Sequence, residues 1–163
     1  SSYNAMLGTN NFISIIPNNL YGPNDNFNPD TGHVLSALIS RFHKAKILGL
    51  NDITLWGSGN AKREFLFSDD LAEMCMLIIE KENSLNSIIN IGSGYEITIK
   101  NLSKEIAKTV GFEGKINWDK SFSDGVKKKL LSSDRAHSFG WKPKTSLLEG
   151  LKKTYNWFLE NQK

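Results

Sequence analysis

Apolar positions along this chain follow two rhythms, and each change of rhythm marks an element. Phe12, Ile13, Ile15 and Ile16 make a short β-branched run that stops at Pro17 and two asparagines, which predicts a buried strand over 11–17. Residues 18–32 then gather Gly22, Pro23, Asn24, Asp25, Asn26, Asn28, Pro29, Asp30 and Gly32. That density of turn formers predicts a long loop, and long ordered loops tend to carry function.

Over 33–48 the spacing becomes helical. Val34, Leu38, Phe42 and Ala45, with Leu35 and Ile39 beside them, fall on one face, and Arg41, His43, Lys44 and Lys46 lie towards the C-terminal end, where cations suit the helix dipole. A short strand is expected at 53–56, followed by a Gly57-Ser58-Gly59 turn leading to Arg63-Glu64-Phe65-Leu66-Phe67. Ser68, Asp69 and Asp70 head a further helix with Leu71, Met74, Cys75, Ile78 and Ile79 as its expected core face. A strand at 88–91 precedes a glycine turn. Thr98 then opens a helix carrying Leu102, Ile106 and Val110 that stops at Gly111. Another strand is expected at 115–118. Ser146 and Glu149 form a capping-box pattern at the head of a helix over 146–161, with Leu148, Leu151, Tyr155 and Phe158 as its stripe.

Alternating strands and helices predict an α/β domain, with too few strands for a complete doubly wound sheet. The chain is expected to be the second half of a larger fold. Its 163 residues suffice for one domain with a real core, and 39% apolar with 23% charged residues is the balance of an ordered protein. A single cysteine, Cys75, excludes an internal disulfide, and one thiolate with three scattered histidines offers no metal site. The expected compartment is a reducing, cytoplasmic one. No apolar run approaches the ~20 residues that span a bilayer. A net charge of +3, partly in Lys127, Lys128 and Lys129, suits a small anionic ligand such as a diphosphate and is too mild for nucleic acid.

Neither Gly57-Ser58-Gly59 nor Gly92-Ser93-Gly94 continues into a dinucleotide fingerprint or a P-loop, so both are expected to be plain turns. No nucleophile elbow and no paired-histidine zinc motif occurs. The remaining chemistry is that of a nucleotide site. Trp56 offers an aromatic face, Arg41, Arg63 and Lys129 offer cations for a diphosphate, and Asp124 offers a carboxylate for a hydroxyl or base edge. Plainer roles stand beside these: His33 as a helix cap, Trp56 as a core residue, and Lys128 with Lys129 as a solvated face.

Asn18-Asn19-Leu20-Tyr21-Gly22-Pro23 resembles the Asn-x-Tyr-Gly-Pro loop of the extended short-chain dehydrogenases/reductases that act on nucleotide sugars. Further agreement extends over nearly the whole chain: residues 19–27 and 33–43, Leu55-Trp56-Gly57-Ser58-Gly59, Arg63-Glu64-Phe65-Leu66, Asp69-Asp70-Leu71-Ala72, residues 89–94, Asp124-Gly125 with Lys128-Lys129-Leu130-Leu131, Gly140-Trp141 and residues 154–159. In wording and spacing these segments are similar to the GDP-L-fucose synthase family.

The resemblance implies the C-terminal, nucleotide-sugar-binding part of an NAD(P)-binding Rossmann-like fold over 1–163. Residues 1–32 would be the remnant of the Rossmann half, beginning partway through a helix. It implies that Pro17, Asn18, Asn19 and Leu20 lie against the nicotinamide end of NADP(H). His33 would contact the cofactor and act as the acid in epimerisation. Arg41, Trp56, Arg63, Asp124 and Lys129 match the positions that hold the GDP-sugar, and a homodimer is implied for the whole enzyme. The activity implied is NADPH-dependent 3,5-epimerisation and 4-reduction of GDP-4-keto-6-deoxy-mannose. A related GDP-linked keto sugar, such as a heptose, and a non-catalytic nucleotide-sugar-binding module remain open alternatives.

The chain departs from the family in having no Gly-x-x-Gly-x-x-Gly motif and no Tyr-x-x-x-Lys pair, since Leu7 stands four places after Tyr3. Most of the cofactor would therefore be bound by a preceding half, and the segment alone is expected to be inactive. An uncovered apolar face and some self-association are expected with it.

Overall fold

A computed structural model describes residues 2–9, 12–80 and 88–161. The chain runs α1 (Ser2–Leu7), β1 (Ile15–Pro17), β2 (Asn19–Tyr21), α2 (Val34–Ile47), β3 (Asp52–Trp56), β4 (Lys62–Phe67) and α3 (Ser68–Glu80). It continues β5 (Ile89–Ile91), β6 (Glu96–Thr98), α4 (Ile99–Val110), β7 (Lys115–Asp119), β8 (Lys128–Lys129), α5 (Asp134–Ser138) and α6 (Leu147–Asn161). The α/β class expected from the sequence is what these elements form.

Among the described residues the strands form three small sheets. β1 pairs β5 in parallel, β3 pairs β7 in parallel, and β4 holds β2 and β8 in parallel and β6 antiparallel. β4 is the partition of the molecule. Because successive side chains on a strand point to opposite faces, Phe65 and Phe67 enter one core while Leu66 enters another. The larger core joins α2, α4 and α6 through Leu35, Ile39, Phe42, Leu102, Ile106, Leu151 and Phe158; the smaller joins Leu66, Met74, Ile89, Ile91 and Trp141.

The local signals at helix ends act as the residue types dictate. The Thr98 hydroxyl accepts from the Asn101 amide at 3.1 Å, and Gly111 closes α4 in the left-handed conformation at φ 77°. Ser146 and Glu149 make the reciprocal capping box: the Ser146 amide donates to Glu149 Oε2 at 3.0 Å, and the Glu149 amide donates to Ser146 Oγ at 3.3 Å.

Four expectations need correction. The first strand is ordered only over Ile15–Pro17, with Asn11 outside the described residues. Inside the expected loop 18–32, Asn19–Tyr21 is strand, because β4 offers it a parallel ladder that local turn propensity cannot reveal. Ile79 is 70% exposed and Cys75 only half-buried, so α3 buries the narrower face Asp70, Met74 and Ile78. In α6 Leu148 is exposed and Thr154 takes the buried place, since α6 meets β2 through Gly150, where an added Cβ would lie 2.1 Å from the Tyr21 hydroxyl. The short elements β6, β8 and α5 have no periodicity long enough to announce them.

Large apolar side chains are exposed at several places among the described residues. Tyr3, Met6, Leu7, Phe12 and Ile16 around α1 and β1, with Met76, Ile79 and Ile88 elsewhere, are all open to solvent. No helix among the described residues is long and apolar enough to cross a membrane.

Candidate functional site

The site begins where the chain changes sheets. The Asn18 amide donates to the Ile91 carbonyl at 2.9 Å, and one residue later Asn19 is already in register with Phe65 of β4. The C-terminal end of β1 thus opens beside β2, and crevices at the carboxyl ends of parallel strands are where α/β folds place ligands. A cavity of about 420 Å³ lies there. It is lined by Pro17, Asn18, Asn19 and Leu20, by residues 21–25, and by His33, Ser68 and Lys129. All the residues expected against a cofactor are therefore in one cavity, together with one of the expected substrate cations.

Asn18 is 5% exposed and its orientation is fixed from behind. Its Nδ2 donates to the Glu64 carboxylate, and its Oδ1 accepts from the Asn19 amide at 2.8 Å. Asn19 Nδ2 in turn donates to the Glu64 carbonyl at 2.7 Å. The sequence reading did not single out Glu64. Fully buried, it also accepts from the Gly94 amide at 2.6 Å and the Leu131 amide at 3.2 Å, so it ties the cavity wall to the segment after β8. The available signal was a carboxylate set between Arg63 and the apolar run Phe65-Leu66-Phe67.

His33 is exposed at the head of α2 and makes no side-chain cap bond, which sets aside the plain capping role. Lys128 and Lys129 part company because adjacent strand residues face opposite ways. Lys128 pairs with Glu96 at 3.2 Å, while Lys129 lines the cavity.

Tyr21, also on the cavity wall, is 2% exposed. Burial, reinforced by Asp70 and Glu149, pushes its phenol well above the ordinary tyrosine range, so it stays protonated and serves packing. His43 bonds Tyr155 through Nδ1 at 2.9 Å and lies edge-on to Phe158, a packing role.

A second cluster adjoins the first along β4. Arg63 is in register with Lys129 of β8, and Arg63 Nη1 donates to the Val126 carbonyl at 2.6 Å. Trp56, at the end of β3, is 57% exposed, which excludes the core alternative. The Arg41 guanidinium sits 5.1 Å from the Trp56 ring centroid, within cation–π range. Both residues help line a cleft of about 270 Å³ with Pro29, Val34 and Trp118. Since Arg41 follows His33 by eight residues, α2 separates the two clusters by about 12 Å along its axis.

Asp124 closes the loop after β7 onto the β3–β4 turn. Its carboxylate accepts from the Ser58 amide at 2.6 Å and the Ser58 hydroxyl at 2.5 Å. Gly57 makes room, for at φ 81° its added Cβ would lie 2.4 Å from Asp124 Oδ1. The Ser58 hydroxyl and amide hold the Asp124 carboxyl below the usual carboxylate range, with Arg63 contributing in the same direction. A carboxyl whose folded value is depressed keeps its anchor above the ordinary range and loses it only as pH falls through that lower folded value. On acidification below the carboxylate range, proton-NMR contacts between the loop and Trp56 should therefore disappear; in Asp124→Asn that acid transition should be absent.

Residues 2–92 match the model of the NAD dependent epimerase/dehydratase family. GDP-L-fucose synthase 1 of Arabidopsis thaliana is 49% identical over 149 residues, which are 91% of this chain and 46% of that one. A GDP-L-fucose synthetase from Naegleria fowleri, also solved bound to NADP, superposes with a TM-score of 0.86 at 32% identity, covering 98% of this chain and 50% of that chain. A GDP-6-OMe-4-keto-L-xylo-heptose reductase from Campylobacter jejuni superposes with a TM-score of 0.85 at 31% identity, covering 99% and 57%. The chain spans about half the length of the curated relatives it matches.

Proposed function

The chain belongs to the NAD dependent epimerase/dehydratase family, and from that premise we propose that it is the nucleotide-sugar-binding part of an NADPH-dependent enzyme making GDP-L-fucose from GDP-4-keto-6-deoxy-mannose. The observation that carries this reading is a pair of neighbouring features: the cavity of residues 17–20, His33 and Lys129, with Arg63 in register beside Lys129, and the cation–π pair of Arg41 and Trp56.

In this reading the GDP moiety lies over Trp56, with Arg41, Arg63 and Lys129 neutralising its diphosphate, and the sugar points towards His33. Asp124 keeps the substrate loop closed on Ser58. The 4-keto group acidifies the hydrogens at C3 and C5 of the sugar, so one acid/base pair can invert both centres: a base, supplied by the part of the enzyme that this chain does not span, takes the proton from one face to leave an enolate, and an acid returns a proton to the opposite face. His33, exposed in the cavity and with no side-chain cap bond, is the residue free to serve as that acid.

Residues 17–20 line the cavity with the Asn18 and Asn19 side chains held from behind by Glu64, and this fixed wall would lie against the nicotinamide end of the cofactor, which when bound would supply the hydride for C4. The chain spans about half the length of its curated relatives, and in this reading the adenine and pyrophosphate end of the cofactor is held by the part of the enzyme that it does not span, with residues 1–32 as the last portion of that half. A homodimeric, cytoplasmic enzyme completes the reading.

The test is calorimetric titration of the chain with GDP. Saturable binding near one equivalent without turnover of the keto sugar is expected; an absence of binding counts against the reading. The Campylobacter jejuni neighbour favours one alternative, a heptose in place of the 6-deoxy sugar. Turnover of both keto sugars by the enzyme that contains this part separates them.

A further inference from the structure

Trp56 does not stand alone. The Phe122 ring lies against it with centroids 4.9 Å apart and planes inclined by only 16°, although both side chains are substantially exposed, at 46% and 57%. The core aromatic contacts of Tyr21 take the edge-on arrangement, at 68° to Phe67 and 88° to Phe65, as the ring quadrupole favours. A parallel, solvent-exposed pair is the geometry that accepts a flat ring.

The loop that carries Phe122 is held at both ends. Before it, the Asp119 carboxylate accepts from the Ser121 amide at 2.9 Å and the Ser121 hydroxyl at 2.6 Å, and the Asp119 carbonyl accepts from the Gly57 amide at 2.8 Å. After it come the Asp124 bonds to Ser58 and the Arg63 bond to Val126. Residues 121–123 are exposed between these anchors. Phe122 is therefore set opposite Trp56 by a short exposed span with an anchor on either side. The cations stand close to the same loop, since an added Cβ on Gly125 would lie 4.0 Å from Arg63 Nη2.

We propose that Phe122 is the second wall of a base clamp, with Trp56 as the first, and that this clamp makes the site prefer a purine nucleoside diphosphate over a pyrimidine one. The base enters between the two rings and replaces their mutual contact with two stacking faces. A purine covers both rings, whereas a pyrimidine covers less of each, so the second wall acts on specificity as well as affinity. This inference deepens the GDP-sugar reading and rests on it.

The experiment is calorimetric titration of the unsubstituted chain, Phe122→Ala, Phe122→Tyr and Arg63→Ala with GDP and with UDP. Phe122→Ala should weaken GDP by about tenfold and UDP by less, lowering the preference for GDP, at an unchanged melting temperature. Phe122→Tyr, which keeps the ring face, should bind GDP like the unsubstituted chain. GDP binding that Arg63→Ala weakens and Phe122→Ala leaves unchanged, in strength and in preference over UDP, would overturn the clamp while leaving the functional reading intact. No GDP binding to the unsubstituted chain would overturn both.

Discussion

Replacing Arg63 by alanine is expected to weaken GDP binding by about ten- to a hundredfold, the range for losing charge-assisted hydrogen bonds of about 1.5–3 kcal/mol. Arg63 occupies the register position beside Lys129, next to the Asp124 loop and in line with the cavity that holds His33. A guanidinium there presents a rigid fork to a diphosphate.

The side chain also supports the site, through its bonds to the Lys62 and Val126 carbonyls. Arg63→Lys separates the two contributions: it keeps the charge, lacks the fork, and should bind GDP with intermediate affinity. Affinity of the unsubstituted chain should also fall as salt is raised, because the attraction is between charges near the surface. Titrations in which Arg63→Ala matches the unsubstituted chain would remove Arg63 from the ligand site.

The largest effect on stability should come from Glu64→Ala. This carboxylate is fully buried, and its partners are dipoles: the Asn18 side-chain amide and the backbone amides of Gly94 and Leu131. Gly92 packs so tightly beside it that an added Cβ would lie 2.4 Å from Oε1. Alanine leaves the buried Asn18 amide and the part-buried Gly94 and Leu131 amides without their acceptor, at a cost of about 3–5 kcal/mol in all. A domain of this kind has only about 5–15 kcal/mol in total, so the urea midpoint should fall sharply. Glu64→Gln keeps the volume but turns an amide towards donors and should cost about 1–3 kcal/mol. A Glu64→Ala midpoint close to that of the unsubstituted chain would show that water satisfies the three donors instead.

The two residues differ in how far the sequence could take them. Arg63 is marked by charge and by its place in a familiar motif, and so are His33, Arg41, Trp56, Asp124 and Lys129. Glu64 stands within that same motif, yet nothing in its neighbours along the chain says that its oxygens face residues 18, 94 and 131. For Asp124 the sequence suggested a carboxylate facing ligand. The structure places it on Ser58, 66 positions away. Phe122 carries no periodic signal at all, sitting in a polar loop with one aromatic residue.

What the sequence determined by itself is whatever depends on neighbours three or four residues apart: the amphipathic faces of α2 and α4, the Thr98 and Gly111 caps, the Ser146–Glu149 box and the α/β alternation. These are short-range effects of side-chain spacing and backbone hydrogen bonding, and they operate before any tertiary contact forms. The tertiary structure alone decided that Asn19–Tyr21 is a strand, that β4 divides two cores, that Glu64 binds Asn18 from behind, and that Phe122 lies on Trp56. Each of those joins positions far apart in the chain, where the partner is chosen by packing and by the need to satisfy buried polar groups, and such choices leave no period to read.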